Sequence, residues 1–255
     1  MLDQIAEAAD LTGGETVVEV GAGLGGLTTE LSPRAGQVIA IELDDGLANY
    51  LDGRFAQTNV TIVHGNALDI TPHEMLAQAG AAPPYVVVGN LPYNIAQPLL
   101  RHLLEARPAP EWLVVMVQAE VAESIVAAPG KMSLQSLSVQ LYGEPRLLFY
   151  VQPSAFYPPP KVRSAVVRVD ISSELRADVE DTEAFFRVAR AGFGQRRKQL
   201  HNALSRRLQI EPQAAGELLA DAGIDPKLRA QALSLEQWAA LTTAWIERGR
   251  PEGTA

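Results

Sequence analysis

The chain has 255 residues, of which 47% are hydrophobic and 20% charged, with a formal net charge of −9 and no cysteine. That length holds one large domain, or an α/β domain with a small appendage. The absence of cysteine excludes disulfides, zinc ribbons and thiol catalysis. The acidic total argues against a general nucleic-acid coat but leaves room for a local basic face.

"MLDQIAEAAD" at the start reads as an amphipathic helix with acidic residues and has no signal-peptide pattern. No apolar run reaches membrane-span length. A cytoplasmic monomer without membrane contact is expected. Short β-branched runs then alternate with helical patterns. "ETVVEV" (15–20), "QVIAIE" (37–42), "NVTIVH" (59–64), "YVVVGN" (85–90) and "EWLVVMVQ" (111–118) predict strands. "GGLTTELSPR", "DGLANYLDGRF", the stretch from Pro72 to Gln78 and "QPLLRHLLEA" lie between them as helices or turns. Strand, helix, strand at this spacing predicts βαβ units and a parallel sheet covered on both faces. "AEVAESIVAA" and "SLQSLSVQLYG" predict two more helices. "RLLFYV" and "SAVVRVDI" flank "QPSAFYPPPK" and predict an antiparallel pair at the sheet edge, with "PPP" (158–160) as a rigid turn. The texture changes near Ser172, and from Asp181 onward it is helical. This predicts a first domain over 1–173 and a helical domain over 174–255.

"VVEVGAGLGGLTTEL" places Gly21, Gly23 and Gly26 directly after the first strand. This is a G-x-G-x-x-G loop opening a helix, suited to a tight turn and close backbone approach to a ligand. Glu42, ending the second strand, is positioned to take ribose hydroxyls. Dehydrogenases and nucleoside-binding methyltransferases share these features, and the glycines by themselves only make a turn. Two observations favour S-adenosylmethionine over NAD. Glu19 lies just before the loop, where an acid suits a cationic ligand. The fourth strand, in "VVVGNLPYNI", ends in Asn90-Leu91-Pro92-Tyr93, for which a dehydrogenase has no evident use.

That tetrapeptide suits methyl transfer to an exocyclic adenine amine. The N6 lone pair is delocalised into the ring. Two acceptors taking its hydrogens favour a tetrahedral nitrogen and stabilise the charge that develops. The Asn90 carbonyl oxygen is one such acceptor. A main-chain carbonyl at the turn held by Pro92 is the other. Tyr93 offers a face on which an unstacked base can lie. The bland alternative is a strand-ending turn with a packed tyrosine.

"RAGFGQRRKQLHNALSRR" (190–207) contains Arg190, Arg196, Arg197, Lys198, Arg206 and Arg207 and no acid. Leu200, Leu204 and Leu208 fall at helical spacing and would bury one side, leaving the positives as a phosphate-binding ridge. Lys161 and Arg163 would extend it. A solvated helix face is the bland reading. His64, His73, His102 and His201 form no metal-ligand pattern, and no metal is expected.

"VVEVGAGLGGLT", "VIAIELD", "NLPYNIAQPLL", "PSAFYPPPKVRSAVVRV" and "FGQRRKQLHNAL" resemble, in order, the motifs of the ribosomal RNA adenine N6,N6-dimethyltransferases. The resemblance covers nearly the whole chain and is nearer the small-subunit branch than the large-subunit resistance methylases. It implies a class I methyltransferase fold, Rossmann-like with a mostly parallel seven-stranded sheet, and a small all-helical C-terminal domain. It also implies S-adenosylmethionine as cofactor. The implied reaction is dimethylation of two adjacent adenosines near the 3′ end of 16S rRNA in a small-subunit precursor. Gly21 to Gly23 would hold the methionine part, Glu42 the ribose, and Asn66 would lie beside the cofactor adenine. Asn90 would touch both cofactor and reacting centre, and Phe156 would wall the target base opposite Tyr93. The chain departs from the family pattern in three places. Asn66 stands where an Asp is usual, and Ala119 where a Lys is common. The family's "QNFL"-like segment ahead of the first helix has no counterpart here. A large-subunit methylase and a weakly catalytic assembly factor are the competing functions.

Overall fold

A computed structural model of the chain describes residues 1–93, 95–195 and 197–250. Seven strands form one sheet: β1 (Thr16–Val20), β2 (Gln37–Glu42), β3 (Val60–His64), β4 (Val86–Asn90), β5 (Trp112–Gln118), β6 (Gly143–Val151) and β7 (Ser164–Ile171). Their order is β3-β2-β1-β4-β5-β7-β6. The first five are parallel, and β7 and β6 add antiparallel at one edge. This is the class I methyltransferase fold expected from the sequence.

The strands form where valine and isoleucine run together. Val17, Val18, Val86, Val87, Val88 and Leu113 to Val117 are buried, as befits strands covered on both faces. Edge strand β6 alternates instead, with Leu148 and Tyr150 exposed. Between the strands run α1 (Leu2–Ala8), α2 (Gly26–Leu31), α3 (Asp45–Phe55), α4 (Pro72–Gln78) and α5 (Ala96–Glu105). Local chemistry sets several starts. The Asp44 side chain accepts from the Leu47 amide ahead of α3, and Thr71 and Glu74 form a capping box with Pro72 in the first turn of α4.

The chain divides into two compact units, Met1–Glu123 with Tyr142–Ser173, and Ser124–Leu141 with Glu174–Ala255. The first division falls within α6 (Ala119–Ile125), and α7 (Leu134–Gln140) belongs to the second unit. There the Gly130 and Met132 amides donate to the Gln231 carbonyl. The rest of that unit is α8 (Thr182–Phe193), α9 (Leu200–Leu208), α10 (Pro212–Asp221) and α11 (Leu235–Glu247). Its core holds Phe185, Trp238 and Trp245, with Phe193 stacked on Trp238 at 5.2 Å. Leu200, Leu204 and Leu208 are buried as their spacing predicts. Among the described residues no helix is long and apolar enough to cross a membrane.

Candidate active site

The strand order reverses between β1 and β4, and in open α/β sheets ligands bind at the carboxyl ends of strands beside such a switch. The register Glu19↔Val88 sets the two tips side by side. Gly21, just beyond β1, has φ +75°, and a β-carbon on it would lie 3.7 Å from the Pro92 ring. The glycine loop and the Asn-Leu-Pro-Tyr turn therefore line one crevice. The left-handed backbone at Gly21 strains any L side chain, so glycine is required there by conformation rather than by space.

Glu42 is almost fully buried at the end of β2. Its Oε2 accepts from the Gly23 amide at 2.7 Å, and Oε1 from the Leu43 and Asp44 amides at 2.9 and 3.0 Å. A carboxylate offers about four acceptor positions. Three hold the loop in shape, which leaves one on Oε2 for a ligand hydroxyl.

Glu19 is 1% exposed. Its Oε2 has no hydrogen-bond partner among the described residues, and neither does the nearby buried hydroxyl of Thr28. Burial pushes the Glu19 pKa up from 4.5 to about 7; Thr28 opposes the rise and the Glu42 carboxylate adds to it. A buried carboxylate with one oxygen left without a donor, beside a second carboxylate, makes a pocket that a cation or a further hydrogen-bond donor would complete. S-adenosylmethionine, with its sulfonium, ammonium and ribose hydroxyls, fits that requirement.

Asn66 follows β3. Its Oδ1 accepts from the Leu68 amide at 3.1 Å and its Nδ2 donates to Asp69 Oδ2 at 2.9 Å. The amide is thus held by its own turn, with one lone pair on Oδ1 still open. The Asp69 carboxylate, which the sequence did not single out, is brought beside it.

Asn90 ends β4, half-buried. The Leu91 amide donates to the Met116 carbonyl at 3.1 Å and the Pro92 carbonyl accepts from the Ile95 amide at 3.1 Å. The Leu91 carbonyl has no main-chain donor among the described residues, so it is the turn's available acceptor. The Tyr93 hydroxyl lies 2.7 Å from the hydroxyl of Ser164, a fully buried residue opening β7. Sequence reasoning missed Ser164. It stood in the quoted "KVRSAVV", but only the register Gln118↔Ser164 carries it to the tip of β5 and so to Tyr93. Phe156 is half-buried and packs against the core cluster that includes Val151 and Val166, while Tyr157 beside it is fully exposed. Ala119 is buried, and its amide donates to the Arg163 carbonyl at 3.0 Å.

The basic residues are spread over both units. Arg196 lies outside the described residues. Arg197 and Lys198 are exposed in the turn ahead of α9, not in the helix that the leucine spacing suggested for the whole run. Arg206 and Arg207 are exposed at the end of α9. Lys161 is exposed in the first unit. Arg163 pairs with Glu123 at 2.7 Å and its guanidinium lies 4.2 Å from the centre of the Tyr150 ring, so part of its charge is already answered. Among the described residues no cluster of histidines and acids could hold a metal ion.

The family model described as ribosomal RNA adenine dimethylase matches residues 1–246. A relative from Dehalococcoides mccartyi, a ribosomal RNA small subunit methyltransferase A, is 48% identical over 248 residues, covering 97% of this chain and 84% of the relative. A protein of the same name from Moorella thermoacetica is 44% identical over 247 residues, covering 94% and 85%. Among solved structures, a dimethyladenosine transferase from Plasmodium falciparum superposes with a TM-score of 0.78 at 25% identity, covering 97% of this chain and 96% of the other. The 23S rRNA methyltransferase ErmE gives 0.72 at 27% identity, covering 95% and 96%.

Proposed function

The chain belongs to the ribosomal RNA adenine dimethylase family, and from that premise we propose that it dimethylates the N6 amino groups of two adjacent adenosines near the 3′ end of 16S rRNA. The substrate is a small-subunit precursor, and the enzyme acts as a cytoplasmic monomer. The observation that carries the reading is the shared crevice at the tips of β1 and β4. There an under-coordinated acidic pocket adjoins an Asn-Leu-Pro-Tyr turn whose Asn90 side-chain oxygen and Leu91 carbonyl have no donor among the described residues. The relatives named for the small subunit favour 16S over 23S rRNA.

When bound, S-adenosylmethionine supplies an electrophilic methyl group on a sulfonium. Gly21 to Gly23 would lie against its methionine part, Glu19 would face its positive charge, Glu42 Oε2 would accept a ribose hydroxyl, and Asn66 would border its adenine. Asn90 Oδ1 and the Leu91 carbonyl accept the two N6 hydrogens of the target base. They draw its lone pair out of the ring and stabilise the ammonium that forms as the methyl arrives. No general base is needed, because the proton leaves to water after transfer. Tyr93, steadied by Ser164, carries the face of the extruded base, and Phe156 bounds it on the other side. Arg197 and Lys198, with Arg196, Arg206, Arg207, Lys161 and Arg163, supply the positive charge that an acidic protein needs to hold RNA.

Labelled-methyl incorporation into small subunits, large subunits and protein-free rRNA tests the reading. Incorporation confined to small subunits, two methyls on each of two adjacent adenosines, is expected. Incorporation into large subunits alone would make it a large-subunit methylase. Tight rRNA binding without incorporation would make it an assembly factor.

A further inference from the structure

The loop 152–163 between β6 and β7 carries the most exposed large hydrophobic side chain among the described residues. Tyr157 is 100% exposed, against 69% for Leu24, the next. No hydrogen bond, ion pair or ring contact ties it to the described residues, whereas the Tyr93 and Tyr150 hydroxyls bond to Ser164 and Glu123. Single exposed apolar residues are ordinary on a protein surface. The root of the loop and the direction of the ring set this one apart.

The loop closes on the pair Val151↔Ser164. Ser164 also pairs with Gln118 at the tip of β5 and holds the Tyr93 hydroxyl at 2.7 Å. The loop is therefore rooted beside the base clamp, in the same compact unit. At Phe156 the backbone is extended, with φ −118° and ψ 154°, and successive side chains of an extended chain point to opposite sides. Phe156 packs inward on the cluster of Val151 and Val166, and Tyr157 faces the other way, into solvent. Pro158, Pro159 and Pro160 follow, each with φ fixed by its own ring. A tyrosine has only two side-chain torsions to restrain on binding. The ring is thus a steady platform one residue beyond the proposed wall of the clamp.

Extruding one adenosine from RNA breaks its stacking on the neighbouring base and leaves a face of that neighbour in water. Every base has a π-face, so an exposed ring replaces the lost contact without regard to sequence. Lys161, exposed in the same loop, is placed to answer a phosphate of the same strand. We propose that Tyr157 is a positioning residue on which the nucleotide adjoining the extruded adenosine stacks, so that the segment Phe156-Tyr157 parts two neighbouring bases, one on each side. This role rests on the rRNA reading above and goes beyond it by naming what holds the base that is not reacting. Because two adjacent adenosines are methylated in that reading, the base held on Tyr157 in one of the turnovers is the second substrate adenosine.

The test compares Tyr157→Ala, Tyr157→Leu, Tyr157→Phe and Tyr157→Trp in the full chain. Binding to small ribosomal subunits is measured across a salt series, and methyl transfer as kcat and KM for the subunit. The ring is fully exposed, so thermal unfolding should stay at the wild-type value throughout the series. Tyr157→Ala and Tyr157→Leu should bind roughly tenfold more weakly, with a raised KM and a kcat near wild type. Their log–log salt slope should not change, because stacking releases no counterions. Tyr157→Phe and Tyr157→Trp should bind like wild type, since they keep the π-face; full rescue by leucine would overturn the stacking. Affinity and KM of Tyr157→Ala equal to wild type, in a preparation whose wild type methylates small subunits, would overturn this role and leave the function standing. A wild type that neither binds nor methylates them would overturn both. Photoreactive p-azidophenylalanine in place of Tyr157 identifies what the side chain meets. Cross-links to 16S rRNA next to the methylated adenosines support the role; their absence there, or cross-links to a ribosomal protein instead, overturns it.

Discussion

The Tyr93 hydroxyl lies 2.7 Å from the Ser164 hydroxyl, 71 residues further along the chain. The bond ties the proposed base-stacking ring to a fully buried position on β7. A tyrosine ring on a turn, with its two side-chain torsions free, would otherwise sample several orientations, and a stacking platform works best when its plane is set beforehand.

Tyr93→Ala should therefore lose the stacking surface, worth roughly 1–3 kcal/mol, or about 5- to 150-fold in kcat/KM. From the sequence alone, where stacking needs only the ring, Tyr93→Phe should be tolerated. The contact with Ser164 changes that expectation to a loss of about fivefold, the usual value of about 1 kcal/mol for a hydrogen bond whose partner is left buried. Ser164→Ala should lose a similar factor, and the two together no more than either alone. Additive losses in that cycle would show that the hydroxyls act independently.

Asn90→Ala should reduce methyl transfer about 10²- to 10³-fold, as expected for deleting an acceptor that stabilises developing charge, while thermal unfolding stays near wild type. Near-normal turnover in the purified variant would remove Asn90 from the reacting centre.

Glu19 carries a pH signature. Its folded pKa, about 7, stands above its ordinary value of 4.5 because of burial. The protonated form is thus favoured by folding, and its stabilising contribution is full below pH 4.5 and lost as pH rises through about 7. Above that, ionised Glu19 costs about 3 kcal/mol. Glu19→Gln should raise stability at pH 8 by up to that amount and change little at pH 4.5. It should also weaken S-adenosylmethionine binding and flatten its rise with pH. Denaturant unfolding and calorimetry at the two pH values read both effects; a variant binding the cofactor like wild type at pH 8 would separate Glu19 from the ligand's charge.

Glu42→Gln keeps the shape of the side chain but replaces one carboxylate oxygen with an NH2 group that faces backbone amides. Loss of charge-assisted bonds to Gly23, or to Leu43 and Asp44, should cost about 2 kcal/mol of stability and weaken the cofactor at least tenfold. A stability equal to wild type would mean that those amides find other partners.

Asn66→Asp, which restores the acid usual in the family, should not improve cofactor binding by itself. It sets a second carboxylate 2.9 Å from Asp69 Oδ2 in place of the amide nitrogen that now donates to it. Pairing it with Asp69→Asn should relieve the repulsion, so the double variant should bind S-adenosylmethionine more tightly than the single. Equal dissociation constants for the two would show that Asp69 plays no part beside the adenine.

The sheet was legible in the sequence because its strands are buried on both faces. Runs such as Val86-Val87-Val88 and Leu113 to Val117 have few other solutions, and every predicted strand appears within a residue or two except β6, which begins three residues earlier, at Gly143. The crevice was legible for a related reason. Gly21, Glu42 and Asn90 each sit at the end of a parallel strand, and in such a sheet those ends meet. What depended on distant pairing was not legible. Ser164 reads as an ordinary strand opening until β7 turns antiparallel beside β5 and brings it to Tyr93. The leucine period located α9 but could not tell that Arg197 and Lys198 precede it, since a period marks the buried face and not the capping residue. Arg187, Arg190 and Arg207 are separated by up to twenty residues in sequence, and only the packing of α8 against α9 gathers them around one hollow. Strand identity and loop chemistry are local properties of side chains and backbone. Which side chains share a hydrogen bond or a concavity is set by long-range register and helix packing, and that exists only in the folded chain.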